Sequence, residues 1–271
     1  MAVGRVLRAR LRPARLIAAL RWRIAMGRYR RGLFRLSTLK RGAADPASVP
    51  VIMCLWNRPE RIDAILRQLD RQHRPVRLLL WNNAPAKARH YRERVASFTP
   101  SGSLTEVALY TSRLNVGGLA RFFIARKLWQ AGARGSFIML DDDEDIRPEF
   151  VDDLLASAGP HVIAGFWAWK MKNDYWARTP ALPGEIASYV GTGGSVCDLD
   201  IVSDPAFFTT LPRYYAFLED LWMCGFARRR GWRLVKADVQ IDFVLDETNQ
   251  HHELGALKGE FYRYLRLTDP D

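Results

Sequence analysis

The chain has 271 residues and is 48% hydrophobic, enough for one large α/β domain or two small ones with a full core. Its formal charge of +12 is unevenly placed: residues 1–44 hold 13 of the 41 Lys/Arg and none of the 29 Asp/Glu, so the remainder is close to neutral. A near-neutral body argues against an extended phosphate-tracking surface, and three cysteines without CxxC spacing (Cys54, Cys197, Cys224) argue against a disulfide framework and for a reducing, cytosolic setting.

In chain order, residues 1–44 form a basic, partly helical arm. Its apolar residues (Leu16, Ile17, Leu20, Trp22, Ile24, Met26, Tyr29, Leu33, Phe34) interleave with arginines and make no clean apolar face, and Gly27 and Gly32 weaken a continuous helix. The longest apolar run, 16–20, is far too short to span a bilayer, and no h-region of a secretory signal follows the basic start. The arm reads as a polybasic segment on anionic lipid, with its aromatics at the interface, placing the protein peripherally on the cytoplasmic face of a membrane. A disordered basic tail, a targeting peptide and a nucleic-acid arm are the other readings.

A small-residue linker, 42–50, leads into a domain over 45–250. Apolar runs at 51–55, 76–81, 104–110 and Ser136–Leu140 predict strands. Between them, helices are predicted at 59–71 (Asn57 as cap), 85–97 and 117–131. This β-α repetition predicts an α/β fold, a three-layer α/β/α sandwich with a mainly parallel central sheet. After residue 160 the elements shorten (161–169, 191–199). A helix at 218–230 stops at Gly231, a strand-like run follows at 239–244, and 251–271 reads as a tail.

Five acids, Asp141-Asp142-Asp143-Glu144-Asp145, follow the strand Ser136–Leu140. They fall at the carboxyl end of a strand, where open α/β sheets place ligands. In an extended chain Asp141 and Asp143 project to one side and Asp142 to the other, with about 7 Å between the first two. Two such charges repel by about 2 kcal/mol at an effective dielectric near 20, and a divalent cation between them reverses the sign. Hard oxygen ligands suit Mg²⁺ or Mn²⁺. The plainer account, acids opening a helix behind Pro148, covers Glu149, Asp152 and Asp153 but not Asp141 to Asp143. A second pair, Glu219-Asp220, opens the last long helix, where dipole complementarity with Arg228 to Arg230 is the competing account.

In their order and spacing these segments resemble the GT-A-fold (Rossmann-like) glycosyltransferases of the family 2-like group, over about residues 50–245. Cys54-Leu55-Trp56-Asn57-Arg58-Pro59 resembles that group's first strand and Thr-Tyr-Asn-Arg turn. Leu79-Leu80-Trp81-Asn82-Asn83-Ala84 is similar to its Val-Asp-Asn-Gly segment, with Asn82 where the nucleobase-binding aspartate is usual. Asp141-Asp142-Asp143 resembles the DxD motif, Glu219-Asp220 the ED motif, and Arg228-Arg229-Arg230-Gly231-Trp232 the basic stretch that follows it.

The resemblance implies an inverting transferase that moves a sugar from a nucleoside diphosphate sugar, a UDP-sugar favoured, to an acceptor hydroxyl; the basic arm alone points to a glycan or lipid-linked acceptor of the cell envelope. Asp143 would hold the Mn²⁺ or Mg²⁺, with Asp141 at the metal or the ribose. Asp220 would act as base, with Glu219 tuning it or touching acceptor hydroxyls. Leu55, Trp56, Asn57, Arg58, Asn82, Asn83, Asp141 and Asp142 would line the donor nucleotide. Asparagine at 82 still offers a donor and an acceptor to a base edge.

Gly118 and Arg121, at the start of the helix after Asn115, suit a phosphate; an ordinary cap with a basic solvent face is the alternative. Gly193 and Gly194 permit close approach of the donor sugar, or make a plain tight turn. His252, with His251, could complete the metal shell or be solvated. Trp167, Trp169, Tyr175 and Trp176 could stack on an acceptor sugar or belong to the core.

Two other classes compete. A sugar-phosphate nucleotidylyltransferase needs a Gly-rich loop after the first strand, where Trp56-Asn57-Arg58-Pro59 has no glycine. A nucleic-acid-binding protein led by its arm conflicts with the near-neutral body, so no nucleic-acid partner is expected.

Overall fold

The computed structural model describes residues 13–34, 36–244 and 254–268. Its helices are α1 (Pro13–Tyr29), α2 (Ile62–Leu69), α3 (Ala88–Ser97), α4 (Ala120–Gln130), α5 (Phe150–Ala156), α6 (Ala206–Thr209), α7 (Glu219–Arg228) and α8 (Gly255–Thr268). The strands of the amino-terminal half are β1 (Ser37–Gly42), β2 (Val49–Leu55), β3 (Val76–Asn82), β4 (Leu104–Thr111), β5 (Ser136–Leu140) and β6 (Glu144–Ile146). Those of the carboxyl-terminal half are β7 (Val162–Gly165), β8 (Ala168–Met171), β9 (Arg178–Pro180), β10 (Tyr189–Val190), β11 (Ser195–Asp198), β12 (Arg233–Lys236) and β13 (Ile241–Phe243).

One sheet organises these elements, in the order β1-β4-β3-β2-β5-β11-β7-β12. β4, β3, β2 and β5 run parallel, as the crossover helices require, and β12 is parallel to β7. Strand residues alternate between two cores. Ile52, Trp81, Ala108, Phe137 and Met139 face α4 and α7, while Val51, Met53, Leu80, Leu109 and Ile138 face α2, α3 and α5. Burial on both faces explains why these strands read as unbroken apolar runs.

The three crossover helices begin with short 3₁₀ turns at Pro59–Arg61, Pro85–Lys87 and Gly117–Leu119. The first of these starts after Arg58, one residue beyond the expected Asn57 cap, and Arg58 makes no side-chain cap. α7 ends as anticipated: Gly231 takes a left-handed φ of +72°, and the Trp232 amide turns back to the Ala227 carbonyl at 3.1 Å.

Three features depart from the expected outline. Residues 37–42, read as part of the arm, form the antiparallel edge strand β1 on β4, and Lys40 reaches Glu106 at 3.5 Å. A charged, solvent-facing edge strand carries no apolar signal. β11 enters the sheet antiparallel between β5 and β7. Residues 255–268, read as tail, form α8, whose Phe261 and Leu265 are buried against α7.

Candidate active site

The extended chain ends at Leu140. Asp142 and Asp143 form a turn before β6, so the expected alternation of side chains stops there. Instead, Arg58 from the turn after β2 gathers both carboxylates, pairing with Asp142 at 2.7 Å and Asp143 at 3.0 Å. Arg61 and Gln68 hold Asp145 through short hydrogen bonds, and β13 closes over the run by pairing with β6. The Val244 amide donates to the Asp143 carbonyl at 2.9 Å.

Asp141 stands apart from these. Its side chain is 38% exposed and pairs with Arg121 of α4, whose guanidinium is almost fully buried. The other arm of Arg121 reaches Glu219 at 3.3 Å. One guanidinium thus ties the acid run to the acid pair that opens α7. Expected at a phosphate, Arg121 spends its Nη atoms on carboxylates in this structure.

Glu219 and Asp220 diverge, as successive residues on a helix must. Glu219 is buried against Arg121 and Gly118, whereas Asp220 faces an open cleft of about 220 Å³ that it lines with Asp141, Gly193, Trp167, Trp169 and Tyr189. Tyr189 Oη donates a short hydrogen bond to Asp220 Oδ2, and the Leu221 amide donates to Oδ1 at 2.7 Å. Burial and the facing Asp220 push the Tyr189 hydroxyl well above its ordinary pKa, so it remains a donor.

The site is short of positive charge. Burial raises Asp142 to about 6 against the pull of Arg58, and raises Asp143 with Asp141 adding to it. Burial and the neighbouring Asp220 push Glu219 up to about 8, and burial and Asp141 push Glu144 well above its usual range. Asp142 Oδ2 and Glu144 Oε1 are buried without a hydrogen-bond partner among the described residues. An all-oxygen donor set with orphaned buried carboxylate oxygens suits a hard divalent cation, while the side chains of Asp141 and Asp143 are paired with Arg121 and Arg58. His252 lies outside the described residues. The one tight His/Cys/Asp/Glu cluster among the described residues, His161-Asp198-Asp200, sits at the opposite end of the sheet. There Asp198 accepts the amides of His161 and Asp200 at 2.8 and 3.1 Å.

The remaining candidates divide. Leu55 is fully buried in the core, while Trp56 and Asn57 are half-buried at the end of β2. Asn82 is fully buried; its Oδ1 accepts the Ala84 amide at 2.8 Å, and its Nδ2 has no hydrogen-bond partner among the described residues. Asn83 locks the next loop by accepting from Val116 N at 3.0 Å and donating to Gly117 O at 3.1 Å. Gly118 is required by the close approach of Glu219 and Arg121. Gly193 faces the carboxylates: a Cβ there would lie 2.7 Å from Asp141 Oδ2 and closer still to Glu144 Oε1. Gly194 instead takes a φ of +59° against Ile241, the plain tight turn of the two readings. Gly193→Ala is expected to cost about 1–3 kcal/mol by overpacking, read as a lower denaturation midpoint.

Sequence reasoning missed Tyr189, Glu144 and Arg178. A tyrosine flanked by Ser188 and Val190 carries no local signal; the pairing of β10 with β8 and the hydrogen bonds between Val190 and Cys224 of α7 bring it to Asp220. Arg178 stacks on Trp169 at 4.5 Å and Tyr175 at 4.9 Å, on the rim of the same cleft.

No protein-family model matches the chain, and no curated protein matches it. Among solved structures, the mannosyltransferase PcManGT from Pyrobaculum calidifontis, in complex with GDP-Man and Mn²⁺, is similar at a TM-score of 0.57 and 12% identity, over 92% of this chain and 72% of that one. The bifunctional glycosyltransferase WbbM, in its apo structure, aligns at a TM-score of 0.38 and 14% identity, over 69% of this chain and 36% of that one. The fold is that of a GT-A-like glycosyltransferase, a mixed α/β architecture around a mostly parallel sheet.

Proposed function

We propose that the chain is a metal-dependent, inverting glycosyltransferase using a nucleoside diphosphate sugar, with a glycan or lipid-linked acceptor at a membrane surface. The observation that carries this reading is that Asp141 and Asp220, from two distant acid motifs, line one cleft. Asp141 and Asp143 would hold Mn²⁺ or Mg²⁺, which when bound neutralises charge developing on the leaving diphosphate.

The chain's own residues supply the rest. Asp220, aimed by Tyr189 and the Leu221 amide, takes the proton of the attacking acceptor hydroxyl. Attack from the face opposite the diphosphate inverts the anomeric centre. Trp167 and Trp169 offer rings on which an acceptor sugar stacks beside that base, whereas Tyr175 is buried and belongs to the core. Gly193 leaves room for the donor beside Asp141. PcManGT was solved with GDP-Man, so guanosine stands beside the favoured uridine as the base to test.

A thermal-shift series with UDP, GDP and other nucleoside diphosphates, with and without Mn²⁺, tests this. One nucleotide is expected to stabilise the protein only with the cation, by about 2.7 kcal/mol at a hundredfold excess over Kd. No response to any nucleotide overturns the reading.

A further inference from the structure

We infer that α1 and the groove beneath it form a docking surface for an anionic phospholipid bilayer. The inference deepens the membrane-surface part of the reading above and does not depend on the chemistry of transfer.

α1 is apolar on two sides. Trp22, Ala25 and Met26 pack on the core and Tyr29 is buried in it, with ring contacts to Trp81 at 5.2 Å and Phe123 at 5.5 Å. Around the helix from these, Leu16, Leu20 and Ile24 recur every four residues with Ile17 beside them, and all four are 51–58% exposed. Two apolar stripes on one helix leave no room for a clean polar face, which is why the sequence pattern looked scrambled. The body covers one stripe, and among the described residues nothing covers the other. Among those residues, no helix is long and apolar enough to cross a membrane.

Charge decides what fits the open side. Arg21 and Arg23 are exposed on the same helix. A groove of about 510 Å³ between α1 and the body is floored by Met26, Phe123 and Phe208, and Arg23, Arg30 and Arg213 stand around it. None of these three arginines has a carboxylate partner among the described residues. Tyr214 and Phe217 are exposed on the adjoining turn. An anionic leaflet offers an acyl boundary to the leucines and phosphates to the arginines at one level. A nucleic acid would satisfy the arginines and leave the apolar stripe in water.

The surface also adjoins the cleft's supporting loop. Trp22 stacks on Phe217 at 6.2 Å, and Phe217 packs over Gly117, the residue whose carbonyl Asn83 holds. A bilayer seated on α1 therefore lies next to the loop that supports Glu219 and Arg121.

The full chain is tested by co-sedimentation with vesicles of phosphatidylglycerol and phosphatidylcholine in equal parts, against phosphatidylcholine alone. Binding is expected only to the anionic vesicles. It should weaken about tenfold or more in Leu20→Asp/Ile24→Asp, and likewise in Arg23→Gln/Arg30→Gln/Arg213→Gln. Wild-type binding by both variants, with loss only in Arg5→Gln/Arg8→Gln/Arg10→Gln/Arg12→Gln, overturns the inference. So does binding to a single-stranded RNA oligonucleotide with no binding to vesicles. The Mn²⁺-nucleotide shift, measured on the same variants, should be unchanged and reports that they fold. If that shift is absent in the wild type while vesicles bind, the transferase reading fails and the docking surface stands.

Discussion

Asp220→Asn lowers turnover by about 10²–10⁴-fold and leaves donor affinity nearly unchanged, measured as kcat for transfer beside the Mn²⁺-nucleotide thermal shift. The asparagine keeps the size of the side chain and the oxygen that accepts the Leu221 amide at 2.7 Å. It removes the basic oxygen. Because Asp220 lines the cleft while Glu219 turns away to Arg121, Glu219 cannot substitute for it. Turnover within a few-fold of wild type would remove Asp220 from the proton-accepting role. Loss of the nucleotide shift along with turnover would show the substitution acting on donor binding instead.

Arg121→Met destabilises the fold by about 3–5 kcal/mol, read from denaturant unfolding. Methionine fills similar space but leaves Asp141 and Glu219 without their shared counter-charge in a site already rich in carboxylates. The loss is larger above about pH 8 than below it. Burial and Asp220 push the Glu219 carboxyl up to about 8, so at lower pH it stays protonated and needs no cation. Arg121 pulls that carboxyl down, so without it the folded variant keeps a proton above this pH that the unfolded chain has shed, and its stability falls further as pH rises. Saturating Mn²⁺ should recover part of the difference, since the ion supplies charge beside Asp141. A loss under 1 kcal/mol, independent of pH, would show that Arg121 is not the tie between the two acid groups.

What the sequence disclosed follows from which forces are local. Ser136–Leu140 was legible to the residue, because an apolar run ended by charge has one good solution inside a covered sheet. The meeting of the run at 141–145 with the pair at 219–220 was legible through the resemblance, which sets the two acid motifs about one cleft. The turn at Asp142 and Asp143 was not, because its geometry depends on Arg58, more than eighty residues earlier. β1 was hidden for a similar reason: a strand whose side chains face water is held by backbone pairing with β4, which composition does not record. Tyr189 reaches Asp220 through tertiary contacts, the small sheet of β8, β9 and β10 and the bonds from Val190 to Cys224 of α7. The apolar residues of α1, which make no single face in the sequence, fall on two sides of the helix, one packed on the core and one exposed.

The clasp made by the carboxyl-terminal segment has a consequence for how the site is assembled. β13 zips onto β6 beside Asp143, and α8 then returns to press Leu265 to within 3.2 Å of the space a side chain at Gly225 would occupy. β13 and α8 thus touch both halves of the acidic constellation, fastening the run that follows β5 and bracing the helix that carries Asp220. Substitutions in β13 or α8, outside the cleft, therefore reach both acid groups, one through the pairing with β6 and the other through the packing on α7.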